Sequence, residues 1–323
     1  MTVDLHSLAP MERQHYLQSS VAPRPICFAS TIDAAGQVNL SPFSFFNLFS
    51  TTPPVLIFAP NRRVRDNTTK HSWQNVLEVP EVVINIVDYA MVRQVSLSSC
   101  DYPKEVNEFI KAGFTEEPAT LVRPPMVRES KVKIECRVLE TKVLGEQGGS
   151  GNLVFCEALR MHIDDSILAA GEAGRPVGKA GAGEGKMGHA EGKPIPGEGR
   201  PLIDQRLFEL VARLGGDWYC RVGPANLFEV EKPNVRLGIG MDALPAGIRR
   251  SRILTGNQLG QLANVHEMPL VDPSFDDSRL QEIFQYYSVD PEEMEKELHA
   301  YAACLLDEGK VGAAWQVLLA LAE

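Results

Sequence analysis

NLSPFSFFNLFS, residues 39–50, holds four of the chain's thirteen phenylalanines among serines, asparagines and one proline. A buried strand favours Val and Ile, and a surface loop does not ordinarily carry Phe43, Phe45, Phe46 and Phe49 together. If the stretch continues a strand, its side chains alternate, so Asn39, Ser41, Phe43 and Phe45 share one face. Leu40, Pro42, Ser44 and Phe46 then share the other. Pro42 lacks a backbone donor, which confines it to a sheet edge or a bulge. Amides freed there, with Ser41 and Ser44, are suited to grip the polar edge of a flat heterocycle that the phenylalanines would wall. Taken alone, the stretch is equally compatible with a Phe-rich core whose serines satisfy backbone groups.

Working outward, PRPICFASTI (23–32), PVLIFAP (54–60) and EVVINIV (81–87) are apolar, β-rich and punctuated by Pro, Gly or Asn. DAAGQ (33–37) predicts the turn of a hairpin that returns through residues 38–43. KVKIECRVLETKVLG (131–145) alternates apolar and polar residues, and GEQGGSGN (145–152) turns it into LVFCEALRMHI. Short helices fit at about 72–79, 89–98 and 104–112. IDQRLFELVARLGGDWYCRV (203–222) reads as an amphipathic helix, a Gly-Gly stop and a strand. Beyond residue 241 the pattern turns helical and ends in an antiparallel pair, PEEMEKELHAYAACLLDEG followed by KVGAAWQVLLALAE. The class is therefore mainly β with helices (α+β), a small barrel rather than a doubly wound sheet, since no GxGxxG follows the first strand. The expected division is a barrel domain over 1–240 and a helical extension over 241–323.

Residues 171–200 hold ten of the 26 glycines and almost nothing apolar, which predicts a flexible insertion. A phosphate cradle there lacks both the GxxxxGK[ST] pattern and a strand leading in. The formal net charge of −10 argues against nucleic acid as a partner. The first residues do not follow the order of a signal peptide, and no apolar run is long enough for a membrane span. The six cysteines are scattered, with no CxxC pair and no histidine at metal spacing. They predict reduced thiols, no metal site and a cytoplasmic location.

A second element is KHSWQNV (70–76), preceded by NRRVRDNTT. Arg62, Arg63, Arg65 and Lys70 precede a helix whose start falls at Ser72, read as a hydroxyl N-cap. Cations beside free helix amides suit a phosphate dianion, although an N-capped helix with solvated bases has the same signature. A flat ring and a phosphate are the two ends of one molecule, flavin mononucleotide (FMN).

At this point the chain resembles the flavin reductase-like proteins that bind FMN on a split β-barrel. The likeness lies in APRPICFASTIDAAGQVNLSPFSFFNLFSTTPP and KHSWQNV. It continues through EVVINIV, LSSCDYPKEVNEF, MVRESKVKIECRV and RLGGDWYCRV. It implies a homodimer with FMN near the subunit interface, and NADH or NADPH as electron donor. By position, Ser30 and Thr31 would lie beside the flavin. Asn39, Ser41, Ser44, Phe45 and Asn47 would line ring and ribityl chain. Ser50, Lys70 and Ser72 would serve the ribityl and phosphate end. His71 stands where the family has an acidic residue. Cys27, Asp101, Tyr102 and His162 are further candidates near a redox ring. No side-chain acid or base is expected to be catalytic, because the cofactor carries the chemistry. Two other readings remain: an FMN-binding electron-transfer or sensor protein without NAD(P)H turnover, and the reductase or scaffold component serving an oxygenase partner.

Overall fold

The computed structural model describes residues 1–169, 201–230 and 237–320; the insertion expected at 171–200 lies outside them. Two units are present, Met1–Phe228 and Glu229–Glu323.

The first unit begins with α1 (Pro10–Ser20), which the sequence reading had not anticipated. Strands β1 (Arg24–Pro25), β2 (Cys27–Ile32), β3 (Val38–Phe43), β4 (Phe46–Thr51) and β5 (Pro54–Phe58) follow in quick succession. Next come α2 (His71–Glu78), β6 (Glu81–Ile86), α3 (Val92–Leu97) and α4 (Glu108–Ala112). The short β7 (Glu116–Glu117) and β8 (Met126–Val127) precede β9 (Val132–Val143) and β10 (Asn152–Ile163), the expected long hairpin. The unit closes with β11 (Val211–Arg213) and β12 (Tyr219–Arg221).

Seven strands form one antiparallel sheet in the order β3-β2-β6-β9-β10-β5-β4. Its two edges, β3 and β4, are consecutive in sequence and joined only by Ser44 and Phe45. The sheet must therefore curl until its edges meet, which makes a barrel split along a seam. Pro42 sits on β3 at that edge, where no third strand needs its missing N–H. Chain and pairing thus turn NLSPFSFFNLFS into the seam itself: strand, two-residue bend, strand.

Alternation sorts β2 and β3 into two layers. Cys27, Ala29 and Phe43 join Trp73 and Val76 of α2 inside the barrel. Phe28 and Leu40 face outward, under Met91, Val95 and Phe109 of the α3–α4 region. The pairing of β9 with β10 slips twice, leaving Leu139 unpaired on one strand and Leu159 on the other. Such bulges bend and twist a hairpin toward closure.

The helix expected near 203–214 is absent; the segment is mostly extended and ends in β11. Phe208 is buried with the barrel interior, whereas Val211 is buried with the outer layer. The backbone of the segment bonds to that of 87–89, through Tyr89 N–H to Glu209 O at 2.9 Å and Val211 N–H to Val87 O at 3.3 Å. Its apolar residues thus serve two cores, which one helical face cannot do.

The second unit is helical: α5 (Ala246–Arg249), α6 (Gly256–Ala263), α7 (Ser278–Tyr286), α8 (Pro291–Asp307) and α9 (Val311–Leu319). Its own core centres on the fully buried Trp315, Leu262 and Leu298. The last two helices are the pair read from the sequence. No helix among the described residues is long and apolar enough to cross a membrane.

Candidate functional site

The hairpin β2–β3 brings Thr31 opposite Asn39 and Ala29 opposite Ser41. Above them lies α2. Asn75 donates from Nδ2 to the Thr31 hydroxyl at 3.1 Å, and the Asn39 and Ser72 side chains hydrogen-bond at 2.8 Å. All four residues are buried. They form a polar clamp that seats the first turn of the helix on the barrel mouth. Buried polar groups that find each other in this way fix one geometry, because leaving any of them unpaired costs about 1–3 kcal/mol.

Ser72 is not the N-cap that the sequence suggested. The helix starts at His71, Lys70 occupies the cap position, and no side chain caps it. The hydroxyl instead turns inward to Asn39. Beneath this clamp the Leu40 amide donates to the buried Glu108 carboxylate at 2.9 Å. Burial pushes the Glu108 carboxyl above the usual range. Neither Asn75 nor Glu108 was singled out in the sequence. WQN and NEF carry no pattern that separates a clamp residue from an ordinary helix-face residue.

Two residues upstream of Ser72, the cations converge. Arg63 Nε lies 2.9 Å and Lys70 Nζ 3.1 Å from Oδ1 of Asp101, and Arg65 Nη2 lies 3.4 Å from Oδ2. Three positive charges thus surround a single carboxylate. Burial pushes the Asp101 carboxyl up, but bonds from Arg63 and Lys70 more than offset this and hold it below its ordinary value. His71, next in sequence, is held below the ordinary histidine value by burial and by the charges of Arg63, Lys104 and Lys70. The loop is well braced: Arg63 Nη1 donates to the Thr69 carbonyl at 2.5 Å, and Arg62 Nε to Asn67 Oδ1 at 2.7 Å. Gly148 of the β9–β10 turn packs so closely that an added Cβ would lie 3.0 Å from the Val64 carbonyl oxygen.

The other predicted residues fall at different places along the seam. Ser44 is half-buried in the bend. Phe45 is exposed, with the Arg24 guanidinium 5.9 Å above its ring. Asn47 is exposed on β4, its Oδ1 accepting from the Leu48 amide at 2.8 Å, and Ser50 is half-buried beyond a bulge at Phe49. Ser30 and Thr31 are separated by strand alternation. Thr31 faces the clamp, whereas Ser30 lies on the opposite face beside Phe28 and Leu40, its buried hydroxyl without a partner. Cys27 is a fully buried strand thiol, pushed up by desolvation. Among the further candidates, Asp101 joins the cation cluster. His162 instead meets the buried Glu135 at 2.6 Å, on the long hairpin.

The donor set fits a flavin phosphate. Arg65 also pairs with Asp66 at 3.2 Å, so three cations face two carboxylates, and the cluster keeps a net positive charge for an anion. The clamp, buried and internally bonded, fixes the start of α2 beside Lys70, and the seam carries hydroxyl and amide side chains at Ser41, Ser44, Asn47 and Ser50. Among the described residues no group of three or more His, Cys, Asp or Glu is placed to hold a metal ion.

A family model described as flavin reductase like domain matches residues 19–177. An uncharacterized protein of Aquifex aeolicus is 38% identical over 148 residues, covering 46% of this chain and 73% of that one. Among solved structures, nitrilotriacetate monooxygenase component B from Bacillus cereus superposes with a TM-score of 0.58 at 20% identity, covering 71% of this chain and 98% of that one. A protein from Shewanella frigidimarina, assigned as a flavin reductase with split barrel domain, gives a TM-score of 0.53 at 21% identity. It covers 71% of this chain and 96% of that one.

Proposed function

Because the chain belongs to the flavin reductase-like family, we propose that it is an oxidoreductase that binds FMN along the barrel seam and reduces it with NADH or NADPH. The observation that carries this reading is the convergence of Arg63, Arg65 and Lys70 on Asp101, two residues from the buried Ser72–Asn39 clamp. In it the cation cluster and the helix start at His71 hold a terminal phosphate. The cluster at one end of the seam suits the one terminal phosphate of FMN. Ser41, Ser44, Asn47 and Ser50 contact the ribityl chain and the polar ring edge, and Phe45 supplies an apolar wall. Thr31, Asn39 and Ser72 act from beneath, keeping α2 and its phosphate end at a fixed distance from the seam.

Bound flavin supplies hydride acceptance from the reduced nicotinamide at its N5 position, so the protein's task is to hold one ring face and leave the other open. The pattern asks for no proton donor, and none is assigned. Phe45, Leu48 and Phe49 expose 43, 55 and 64% of their surface along the seam, which favours a homodimer that covers them. Six free thiols suit a reducing cytoplasm.

The experiment is an anaerobic flavin spectrum. Purified protein should be yellow or take up FMN, and should bleach on addition of NADH or NADPH. Failure to bind FMN sinks the reading. Bleaching by dithionite but by neither nucleotide would move the protein to electron transfer without direct turnover. A second reading, delivery of reduced flavin to an oxygenase partner, is favoured by the helical unit with its separate core. Removal of residues 241–323 should then abolish partner capture while FMN binding persists.

A further inference from the structure

The hairpin β11–β12 carries the GGDWYCR stretch, which belongs to the family likeness but holds none of the residues assigned to the flavin site. Between it and α3 lies a cavity of about 350 Å³, within the range of small-molecule sites. Val92 and Val211 are its apolar lining residues, and Tyr89 and Tyr219 offer ring surfaces. Each ring carries a guanidinium, Arg221 at 3.9 Å from the Tyr89 centroid and Arg213 at 4.5 Å from that of Tyr219. Arg221 is also paired with Glu209, which fixes it in place. Arg93, a further lining residue, has no carboxylate partner among the described residues; the lining also includes the carboxylate of Asp217, fully exposed and turned to Arg213 at 3.7 Å.

The wall is pinned in place. Gly215, at the hairpin turn, lies so close to α1 that a Cβ there would stand 3.2 Å from Ser19 Cα. The buried Arg24 donates from Nη2 to the Leu214 carbonyl at 2.8 Å, and Leu214 N–H bonds Trp218 O at 2.9 Å. A cavity held by such contacts keeps its shape without a ligand, which lowers the ordering cost of binding.

We propose that this cavity is a binding site for a small planar aromatic anion, a ring of one or two cycles bearing a carboxylate. Aromatic walls and valines receive the ring, and the unpaired Arg93 takes the anionic group through a two-pronged bond. The site does not depend on flavin, so its test is separable from that of the flavin reading.

The test uses full-length protein and benzoate as probe, with calorimetry and tryptophan fluorescence as readouts. Trp218, 75% exposed on the hairpin, reports locally, whereas Trp73 and Trp315 are buried. Saturable benzoate binding below about 10 mM is expected. It should weaken about tenfold or more in Arg93→Ala, and also in Tyr89→Leu. Both residues are exposed, so neither change threatens the fold. The proposal is overturned by no saturable binding, by equal binding of benzyl alcohol or inorganic phosphate, or by an Arg93→Ala protein that binds as wild type does.

Discussion

Replacing Arg63 with Ala tests the phosphate end of the site most directly. Its side chain is 13% exposed, and it bonds Asp101 at 2.9 Å, the Thr69 carbonyl at 2.5 Å and the Thr68 hydroxyl at 3.1 Å. A phosphate drawn to this cluster would take a charge-assisted bond in a partly desolvated setting, contributing about 1.5–3 kcal/mol. FMN affinity should therefore fall about 10- to 150-fold, at 1.4 kcal/mol per factor of ten. Lys70→Ala, with a side chain 28% exposed, should lie at the lower end of that range. Riboflavin, which lacks the phosphate, should change by about twofold or less. Asp101→Asn reverses the sign, since it removes the anion that competes for the same three cations. A unit charge at 4 Å is worth about 4 kcal/mol at an effective dielectric of 20, an upper bound that salt reduces. FMN should bind several-fold tighter in that variant, most visibly at low ionic strength. Flavin fluorescence titrations at about 50 and 300 mM salt measure all of this. Equal losses for FMN and riboflavin in Arg63→Ala would refute the phosphate assignment, because the change would then have disturbed the loop rather than removed an anion partner.

Other expectations reach different parts of the molecule. Gly148→Ala forces a methyl against the Val64 and Arg63 carbonyl oxygens at 3.0 and 3.1 Å, so the cation loop must shift. The cost should be about 1–3 kcal/mol of stability, read by urea unfolding, with weaker FMN binding in the same protein. Ser44 and Asn47 changed together to Ala should weaken FMN about tenfold and leave the circular dichroism of the sheet unchanged. Glu135 is fully buried; burial pushes its carboxyl up, but the Thr120 hydroxyl, His162 and the Leu121 and Thr120 amides bring it from 4.5 down to about 2. Because the folded value lies below the unfolded one, the stabilisation is complete above about pH 4.5 and disappears as pH falls toward 2. Glu135→Gln should thus cost about 2–3 kcal/mol near neutrality, and the gap to wild type should close across that window in denaturation curves. Trp315→Ala, at the fully buried centre of the helical unit, should destabilise that unit by about 3–5 kcal/mol in urea unfolding followed by far-UV circular dichroism.

Local patterns carried much of the fold. Alternation marked the long hairpin, DAAGQ marked its own turn, and Pro42 marked an edge. What was not legible depended on distant partners. QRLFELVARL has good helix formers at helical spacing, yet Phe208 and Val211 belong to different cores and the backbone finds its partners at residues 87–89. Long-range pairing outweighed propensity there. The same holds within the site. The basic run before Ser72 was visible, but its focus on Asp101 required the 98–107 loop to fold back by more than thirty positions. Ser72 looked like a cap because hydroxyls favour helix starts; its inward bond to Asn39 arises only once β3 lies beneath the helix. Ser30 and Thr31 read as neighbours in the text, and strand alternation sets them on opposite faces.

The two unpaired leucines of the long hairpin have a consequence for how this chain can change length. Leu139 and Leu159 each sit between neighbours that already have partners, Phe155 with Glu140 and Cys156 with Val138 on one side, Ala158 with Cys136 and Arg160 with Glu135 on the other. Losing either leucine would leave every one of those pairs intact and restore plain alternation around the gap. A deletion at any paired position between them would instead slide one strand past the other and turn buried side chains outward. The hairpin thus stores its register in its pairs and its curvature in two removable residues, so the barrel's bend can drift over generations while its partners stay fixed.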